Sequence, residues 1–449
     1  MEKNYRLRFA PSPTGPLHIG GARSALFNYL LAKKHNGTFL VRMEDTDLER
    51  SSKESEENIK DSLRWLGMDW DEGIDVGGDY GPYRQMERLD IYNAAIQKLL
   101  DEGKAYYCFC SEEELAKEKE EQQARGETPK YSGKCRHLTK EQQEELLAKG
   151  IKPVIRFHVP EGETVTVDDQ VRGKVTFDTD GIGDFIIVKS DGIPVYNFAV
   201  VLDDHTMGIT HVIRGEEHLS NTPRQIVLYD ALGYEKPQFA HISLILGRDN
   251  EGKLTKMSKR HGSTSVVAYK EQGYLPEAID NFLALLGWAP GGEQELFTLD
   301  ELKQEFSLEH VSKSPAVFDI EKLKWINGMY IRNASGERLL EYGLPFLKKA
   351  GLVSAEPTME EMIWAMSTID ALKNHINCFA ELPEIIEKYR ADVDYSADVV
   401  DSLKECKDDA LTVLMAMKER LEKNQKVTVD SYKKMLKEIT KETGIKGRN

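Results

Sequence analysis

Residues 8 to 24 constrain the fold of this chain most, because they join an extended segment, a rigid turn and a helix start within a short span. Pro11 and Pro13 end the extended segment, and Gly15 permits the tight reversal that follows. The helix then begins with glycines, so a ligand can approach its first turn, whose N–H groups favour phosphate. The stretch therefore predicts a nucleotide site with His18 beside the phosphates, although a lone histidine near a helix start is as often structural.

A second stretch, residues 247 to 262, is a basic segment bounded by glycines, and its pattern predicts a loop with neither helical nor strand period. It places three cations, Lys256, Lys259 and Arg260, within five residues. Such a cluster is typical of a solvated surface when it stands alone. In a chain that also has a nucleotide site, the same lysines have a second interpretation, because lysine binds the phosphates of ATP.

The two stretches together resemble the paired signatures of the class I aminoacyl-tRNA synthetases, and the form FAPSPTGPLHIGGARSAL is closest to the glutamyl-tRNA synthetases. In that family the first signature lies beside the adenine and phosphates of ATP, and the second binds the pyrophosphate. The chain departs from the general class I pattern at Gly21, where a second histidine usually stands, so His18 is the only histidine of this motif. The resemblance covers nearly the whole chain and includes residues 41 to 47, 83 to 88 and 212 to 218.

The order of the predicted elements favours an α/β fold. Strands and helices alternate from residue 5 to 105, which indicates a parallel sheet, and an apolar, β-rich run at 195 to 202 predicts a further strand. The pattern of residues 337 to 446 is helical. The resemblance implies a Rossmann-like catalytic domain, an inserted zinc-bearing α/β domain and an all-helical anticodon-binding domain. The expected boundaries are 1–105 and 194–250 for the two halves of the catalytic domain, 106–193 for the inserted acceptor-binding domain, 251–325 for the second signature with its stem-contact helices, and 326–449 for the anticodon-binding domain.

Three cysteines and a histidine form two closely spaced pairs in the insertion. One residue separates Cys108 from Cys110, and one separates Cys135 from His137, so the pairs offer four ligands to a tetrahedral metal ion. Three buried thiols and an exposed histidine are the alternative. Some bacterial members of the family bind zinc through this pattern, so the resemblance implies a structural zinc site, with Tyr131 as a substitute ligand seen in related proteins.

The first reaction that the resemblance implies is attack of a carboxylate on the α-phosphate of ATP, which requires positioned cations and no protein nucleophile. His18, Lys256, Lys259 and a Mg²⁺ ion that accompanies ATP are expected to stabilise the phosphates. A solvated or tRNA-facing side chain is an equal alternative for Lys256. The residues expected to contact ATP are Pro11, Ser12, Thr14, Gly15, His18, Gly20, Gly21, Lys256 and Lys259.

Glutamate carries two carboxylates and an ammonium group, so its pocket needs arginines and an acid. Arg8, Arg214 and Glu44 meet that demand. An arginine binds a carboxylate through two N–H groups and offers no acceptor to an amide, which is a physical basis for refusing glutamine. For Tyr196 the alternative is a buried strand aromatic. The resemblance assigns Arg8, Ala10, Ser12, Glu44, Tyr196 and Arg214 to this pocket.

Composition limits the partners and indicates the compartment. The net charge of −16 over 449 residues argues against a protein that coats nucleic acid with a basic surface, so contacts with RNA must be local. Residues 418 to 449 are one candidate, because they contain ten Lys or Arg against five Asp or Glu. The chain begins without an apolar leader, lacks an apolar run of membrane-spanning length, and has an odd number of cysteines. We therefore expect a cytoplasmic protein with no membrane partner, and a monomer.

The reaction expected from the resemblance forms glutamyl-adenylate and pyrophosphate from ATP and L-glutamate, and then transfers glutamate to the 3′-terminal adenosine of tRNA(Glu). Whether tRNA(Gln) is also charged stays open at this point. A non-catalytic, RNA-binding relative would have a broken signature, whereas His18, Lys256 and Lys259 are all present. A nucleotidyltransferase, or a shortened relative that glutamylates a modified base, would lack the helical domain. Family members usually continue with further helix beyond the position of Asn449, so we expect that the anticodon-binding domain is truncated here.

Overall fold

The computed structural model describes residues 5–249, 251–258, 264–390, 406–423 and 427–445. Its strands are β1 (Arg6–Phe9), β2 (Thr38–Val41), β3 (Glu72–Gly73), β4 (Ala105–Cys108), β5 (Val154–Phe157), β6 (Thr164–Asp169), β7 (Gly173–Asp178), β8 (Phe185–Val188), β9 (His211–Gly215), β10 (Gln238–Ile242), β11 (Ile245–Arg248), β12 (Leu254–Lys256) and β13 (Ala316–Val317). Its helices are α1 (Ile19–Lys34), α2 (Lys53–Trp65), α3 (Leu89–Asp101), α4 (Glu112–Ala124), α5 (Lys140–Ala148), α6 (Thr179–Ile182), α7 (Tyr196–Thr206), α8 (Thr222–Leu232), α9 (Val266–Glu271), α10 (Pro276–Leu285), α11 (Leu299–Glu305), α12 (Ile320–Asn333), α13 (Gly336–Lys349), α14 (Met359–Leu372), α15 (Leu382–Arg390), α16 (Lys407–Lys423) and α17 (Val429–Thr443).

The largest sheet positions the candidate site. Its strand order is β3-β2-β1-β9-β10-β6-β7, and neighbouring strands are parallel except in the antiparallel β6-β7 pair. This confirms the parallel sheet that the alternating pattern predicts. β1 lies between β2 and β9, so the chain order reverses at β1. Open α/β sheets bind ligands in the crevice that forms at the carboxyl ends of strands at such a reversal.

Helix α7 corrects one prediction, because the apolar run at 195 to 202 is helical and not a strand. The seven consecutive residues from Phe198 to Asp204 are all buried, so the run has no polar face that would reveal a helical period. Its valines favour a strand in isolation. Packing against α8, α3 and β8 determines the outcome instead, which is the usual way in which tertiary contacts override propensity.

The predicted insertion forms a second sheet and also extends the first. β4, β5 and β8 make a three-stranded antiparallel sheet. The β6-β7 hairpin instead joins the main sheet, where Asp169 of β6 pairs with Phe239 of β10. The insertion therefore shares a sheet with the catalytic core, which a sequence pattern does not reveal because such pairing is nonlocal.

The second basic stretch contains strands that its sequence does not indicate. β11 and β12 form a hairpin in which Leu246 pairs with Lys256, and β11 also pairs with β13. The prediction of a loop from 247 to 262 is therefore wrong for its first half. A strand of three residues is too short for a period of two to be recognised. Lys259 and Arg260 lie outside the described residues.

The described elements after β13 are helices, as the pattern predicts. The chain up to Pro383 forms one compact unit, in which α13 packs on α14. A second unit begins at Glu384 and contains α16 and α17, which pack on each other. Within the described ranges, none of the helices combines the length and the apolar character that spanning a lipid bilayer requires.

Candidate active site

A cavity of about 890 Å³ lies where β1 and β9 end and α1 begins. Residues from the loop after β1, the end of β2, the start of α7 and the β11-β12 hairpin also line it. Lys259 is the one predicted ATP or glutamate residue that lies outside the described part of the chain. The others all line the cavity: Arg8, Ala10, Pro11, Ser12, Thr14, Gly15, His18, Gly20, Gly21, Glu44, Tyr196, Arg214 and Lys256.

Hydrogen bonds from neighbouring elements hold the loop between β1 and α1 in place. The Pro11 carbonyl accepts from the Glu44 N–H at 3.0 Å, which ties the loop to the residues after β2. The Leu17 N–H donates to Asn58 Oδ1 of α2 at 3.0 Å. The predicted turn therefore has a fixed position between two other elements of the cavity wall.

His18 caps the start of α1 and lines the cavity. Its Nδ1 accepts a hydrogen bond from the Gly20 N–H at 3.1 Å, so in the neutral ring we assign the proton to Nε2. Desolvation and the nearby charge of Lys256 both lower the pKa of His18 from its usual value. At neutral pH His18 is therefore a neutral hydrogen-bond donor.

Backbone hydrogen bonds hold the residues that follow the second signature beside the first signature, and hold Met257 on β11. The Ile19 N–H donates to the Thr264 carbonyl, and the Val266 N–H donates to the Leu17 carbonyl, each at 2.9 Å. At the other end, the Met257 N–H donates to the Ile245 carbonyl at 3.0 Å. Met257 therefore lies at the cavity, and Thr264 and Val266 lie beside the start of α1.

Arg214, at the end of β9, is buried and is held by uncharged acceptors. Its Nη1 donates to Tyr196 Oη at 3.1 Å, and its Nη2 donates to Thr222 Oγ1 at 2.9 Å and Gln225 Oε1 at 2.7 Å. Its Nε donates to His241 Nε2 at 3.2 Å. Four of its five N–H groups are thus used, and within the described residues it has no carboxylate within 4.0 Å.

His241, which accepts a hydrogen bond from Arg214, is a neutral side chain. Its Nδ1 lies 2.6 Å from Asp169 Oδ2, so we assign the proton to Nδ1, which leaves Nε2 as the acceptor for Arg214. Burial lowers the pKa of His241 from its usual value, and Asp169 opposes that shift. The positive charge of Arg214 is therefore not cancelled by the groups that hold it.

Arg8 and Glu44 are the other charged members of the predicted amino-acid pocket, and both line the cavity. Arg8 donates through Nε and Nη2 to the two carboxylate oxygens of Asp204, at 3.1 and 3.2 Å. Glu44 accepts from Arg42 Nη2 at 3.0 Å. Burial raises the pKa of Glu44, and the positive charges of Arg42 and Arg8 oppose that rise. Each cavity residue of this pair is thus held by an oppositely charged side chain.

His218 is a further cavity residue, and its ring contacts Tyr196. Its Nδ1 lies 3.1 Å from Tyr196 Oη. Burial and the charge of Arg214 lower the pKa of His218 to about 4. At neutral pH His218 is therefore uncharged and adds no positive charge to the pocket.

The cysteine cluster has three of its four predicted members. The Sγ atoms of Cys108, Cys110 and Cys135 all lie within 4.8 Å of one another. His137 is exposed and is not part of this group, so its place in the predicted Cys₃His set stays a prediction. The hydroxyl of Tyr131, the substitute ligand that the resemblance implies, lies nearer, with its Oη 3.4 Å from the Sγ of Cys108 and 3.6 Å from that of Cys110.

Comparison with known proteins agrees with this geometry. A family model described as tRNA synthetases class I (E and Q), catalytic domain, matches residues 4–325, and an anticodon-binding-domain model matches residues 338–449. The glutamate–tRNA ligase of Carboxydothermus hydrogenoformans is 58% identical over 444 residues, covering 99% of this chain and 91% of that protein. The chain belongs to the glutamate–tRNA ligase family. The corresponding ligase of Desulforamulus reducens is 56% identical over 446 residues, with 99% and 92% of the two chains covered.

A solved structure extends the comparison to three dimensions. The crystal structure of a glutamate tRNA ligase from Elizabethkingia meningosepticum, in complex with its amino acid, matches this synthetase with a TM-score of 0.85. The two are 35% identical, and the match covers 99% of this chain and 91% of that one. The expected fold class is thereby confirmed.

Sequence patterns did not single out the residues that support the pocket of this synthetase. Asp169 and His241 lie 72 positions apart, so neither predicts the other. Asp203 and Asp204 carry a signal, because two acids directly after a buried apolar run must find partners or a ligand. That signal predicts that both acids are buried and bonded to other groups, but it does not predict that Arg8 is the partner of Asp204.

Proposed function

We propose that this chain attaches L-glutamate to tRNA in two steps, the first of which takes place in the described cavity. The α-carboxylate of glutamate attacks the α-phosphorus of ATP, the bond to pyrophosphate breaks, and glutamyl-adenylate forms. A ribose hydroxyl of the 3′-terminal adenosine of tRNA then attacks the glutamyl carbonyl carbon, and AMP leaves. The observation that carries this proposal is that the described residues predicted to contact ATP and those predicted to contact glutamate line one cavity.

The ATP side of the cavity stabilises charge without a protein nucleophile. At the start of α1 the Ile19 and Gly20 N–H groups already donate to Thr264 and His18, which leaves the Gly21 N–H to face the phosphates, and neutral His18 donates through Nε2. Lys256 lines the same wall, and its Nζ lies 3.8 Å from Glu217, so a phosphate group can compete for it. Lys259 adds a further cation, and Mg²⁺ supplied with ATP shares the charge of the phosphates.

The glutamate side of the cavity selects its substrate by charge. Arg214 offers its remaining N–H and its uncompensated positive charge to the side-chain carboxylate. Glu44 accepts the ammonium group, and Arg8, Ala10 and Ser12 line the same cavity. Glutamine is disfavoured because its amide cannot replace the charge, and its N–H groups find no acceptor on a guanidinium.

The cysteine cluster fits a structural zinc ion. Zinc–sulfur bonds of about 2.3 Å in a tetrahedron place the sulfur atoms about 3.8 Å apart, and Cys110 and Cys135 have their sulfur atoms 3.6 Å apart. We propose that Cys108, Cys110, Cys135 and Tyr131 would hold the ion. Four protein ligands leave no open position, so the metal would order the insertion and take no part in chemistry.

The remaining assignments concern the whole chain. The region 106–193 is proposed to contact the acceptor end of tRNA, the region 251–325 its stem, and 326–449 its anticodon arm. The parts 1–105 and 194–250 then form the catalytic domain. We also propose that the enzyme acts in the cytoplasm and as a monomer.

Aminoacylation of two purified tRNAs tests the proposal. The enzyme is incubated with ATP and labelled glutamate or glutamine, using tRNA(Glu) and tRNA(Gln) separately. We expect ATP-dependent glutamyl-tRNA(Glu) and no product from glutamine. Glutamate on tRNA(Gln) would extend the function to both tRNAs, whereas no glutamate on either tRNA would overturn it.

A further inference from the structure

Asp204 connects the two charged groups that face the amino acid from one side. It accepts both hydrogen bonds from Arg8 described above, and its Oδ1 also lies 2.9 Å from Arg42 Nη1. Arg42 in turn donates to Glu44 at 3.0 Å. One carboxylate therefore fixes a cation that lines the cavity and, through a second arginine, an anion that lines it.

Asp204 itself is buried and is not among the described residues that line the cavity. It therefore acts on a ligand only through its neighbours. Burial opposes its ionisation, but Arg8 and Arg42 lower the pKa of Asp204 below its usual value, so it is charged at neutral pH. Because its carboxylate occupies Nε and Nη2 of Arg8, only the remaining N–H groups of that arginine can reach a substrate.

We infer that Asp204 is a positioning residue for the amino-acid substrate. It sets the distance between Arg8 and Glu44, and thereby the positions in which the carboxylate and the ammonium group of the substrate bind. The inference rests on the proposed function, since it assigns an amino acid to this side of the cavity. It adds a residue to the reaction that neither contacts the substrate nor lies in a signature.

Asp203 offers a matched control from the preceding position. It is equally buried on α7, but its carboxylate accepts from Arg88 Nε at 2.7 Å, from Tyr92 Oη at 2.9 Å and from Gln85 Nε2 at 2.9 Å. Its distance to Arg42 is 3.5 Å, longer than that of Asp204. Replacing either acid takes the carboxylate partner from one buried arginine, Arg8 for Asp204 and Arg88 for Asp203, so both substitutions destabilise the fold. Only the substitution of Asp204 removes the carboxylate that holds Arg8.

The test compares Asp204→Asn with Asp203→Asn in the full chain. Melting temperature is measured first, and then the KM values for glutamate and for ATP in aminoacylation of tRNA(Glu). We expect both variants to lose a similar amount of melting temperature and to keep a KM for ATP within about twofold of the parent. Only Asp204→Asn should raise the KM for glutamate, by about tenfold or more, which is the scale of one lost charged hydrogen bond.

A second variant covers the case in which Asp204→Asn does not fold. Asp204→Glu keeps the charge and moves the carboxylate by one methylene, so the same selective rise in glutamate KM is expected. An unchanged glutamate KM in whichever variant folds, or equal rises for glutamate and ATP, would overturn the inference. In either result the parent enzyme still charges tRNA(Glu) if the proposed function holds, so the two failures are distinct.

Discussion

Arg214 Nη1 donates a hydrogen bond to Tyr196 Oη across 3.1 Å, and both side chains line the cavity. Arg214 comes from the end of β9 and Tyr196 from the first residue of α7, so the contact joins two elements of the pocket wall. Together with Thr222 and Gln225 of α8, it fixes the plane of the guanidinium group. A fixed plane holds the one remaining N–H of Arg214, on Nη1, in a set direction for a carboxylate.

Tyr196→Phe removes that hydrogen bond and keeps the ring. We expect the KM for glutamate to rise about two- to tenfold, the scale of a neutral hydrogen bond, with the KM for ATP unchanged. Tyr234→Phe is the control, because Tyr234 stacks on His205 and does not line the cavity. Equal KM values for glutamate in the two variants would show that Tyr196 does not orient Arg214.

Lys259→Ala tests the second signature. Met257 and Thr264, described residues on either side of this lysine in the sequence, are bonded to Ile245 and Ile19. We expect loss of about 2 to 4 kcal/mol of transition-state stabilisation, as for other preorganised donors, measured by pyrophosphate exchange with tRNA present. Lys253→Ala, in the exposed turn of the β11-β12 hairpin, should behave like the parent. A rate for Lys259→Ala within threefold of the parent would reject the role.

The metal proposal is tested by a pair of variants, Tyr131→Phe and His137→Ala. After zinc-supplemented expression we expect about one equivalent of zinc in the parent and in His137→Ala, because His137 is exposed and outside the cluster. Tyr131→Phe should lose its zinc at a chelator concentration about tenfold or more lower than the parent requires. Loss of a ligand reduces zinc affinity at least as much as loss of a contact that supports a ligand. Zinc loss only from His137→Ala would restore the Cys₃His set.

A pH dependence of stability follows from His218. Its pKa is about 4 in the folded protein, whereas an unfolded chain has the usual value near 6.5. Between these values the unfolded state binds more protons, so the free energy of unfolding falls as pH falls from about 6.5 to 4. In His218→Gln the free energy of unfolding should fall less steeply with decreasing pH than in the parent. The two slopes should differ by a fraction of the ~1.4 kcal/mol per pH unit that one proton contributes. Urea unfolding at several pH values measures it, and an identical slope would contradict the assignment.

The sequence predicts the first signature well because its physics is local. Prolines, glycines and a helix start within 17 residues determine a turn whatever lies elsewhere in the chain. The positions of Arg8, Glu44 and Arg214 follow from the same cause, since each lies at or just after a strand that ends in the crevice.

The remaining features depend on contacts that are distant in sequence. Helix α7 is read as a strand because burial on all sides removes its polar face. The Tyr131 hydroxyl lies beside the thiols and accepts from the Cys135 N–H at 2.9 Å, a geometry that the spacing of the cysteines does not encode. Arg8 is held by Asp204, 196 positions away, for the same reason.

Selection of glutamate by the charge of Arg214 is the central claim, and Arg214→Gln tests it most directly. The measurement is the ratio of kcat/KM for glutamate to that for glutamine in pyrophosphate exchange with tRNA present. Arg224→Gln, at a half-buried position of α8 that does not line the cavity, is the matched control and should keep the parent ratio.

For Arg214→Gln we predict a ratio at least about thirtyfold lower, corresponding to the ~2 to 3 kcal/mol of one charged contact. An amide at this position pairs with the amide of glutamine, whereas a guanidinium does not. A ratio equal to that of the parent would contradict the account and would make Arg8 the residue that reads the side-chain carboxylate.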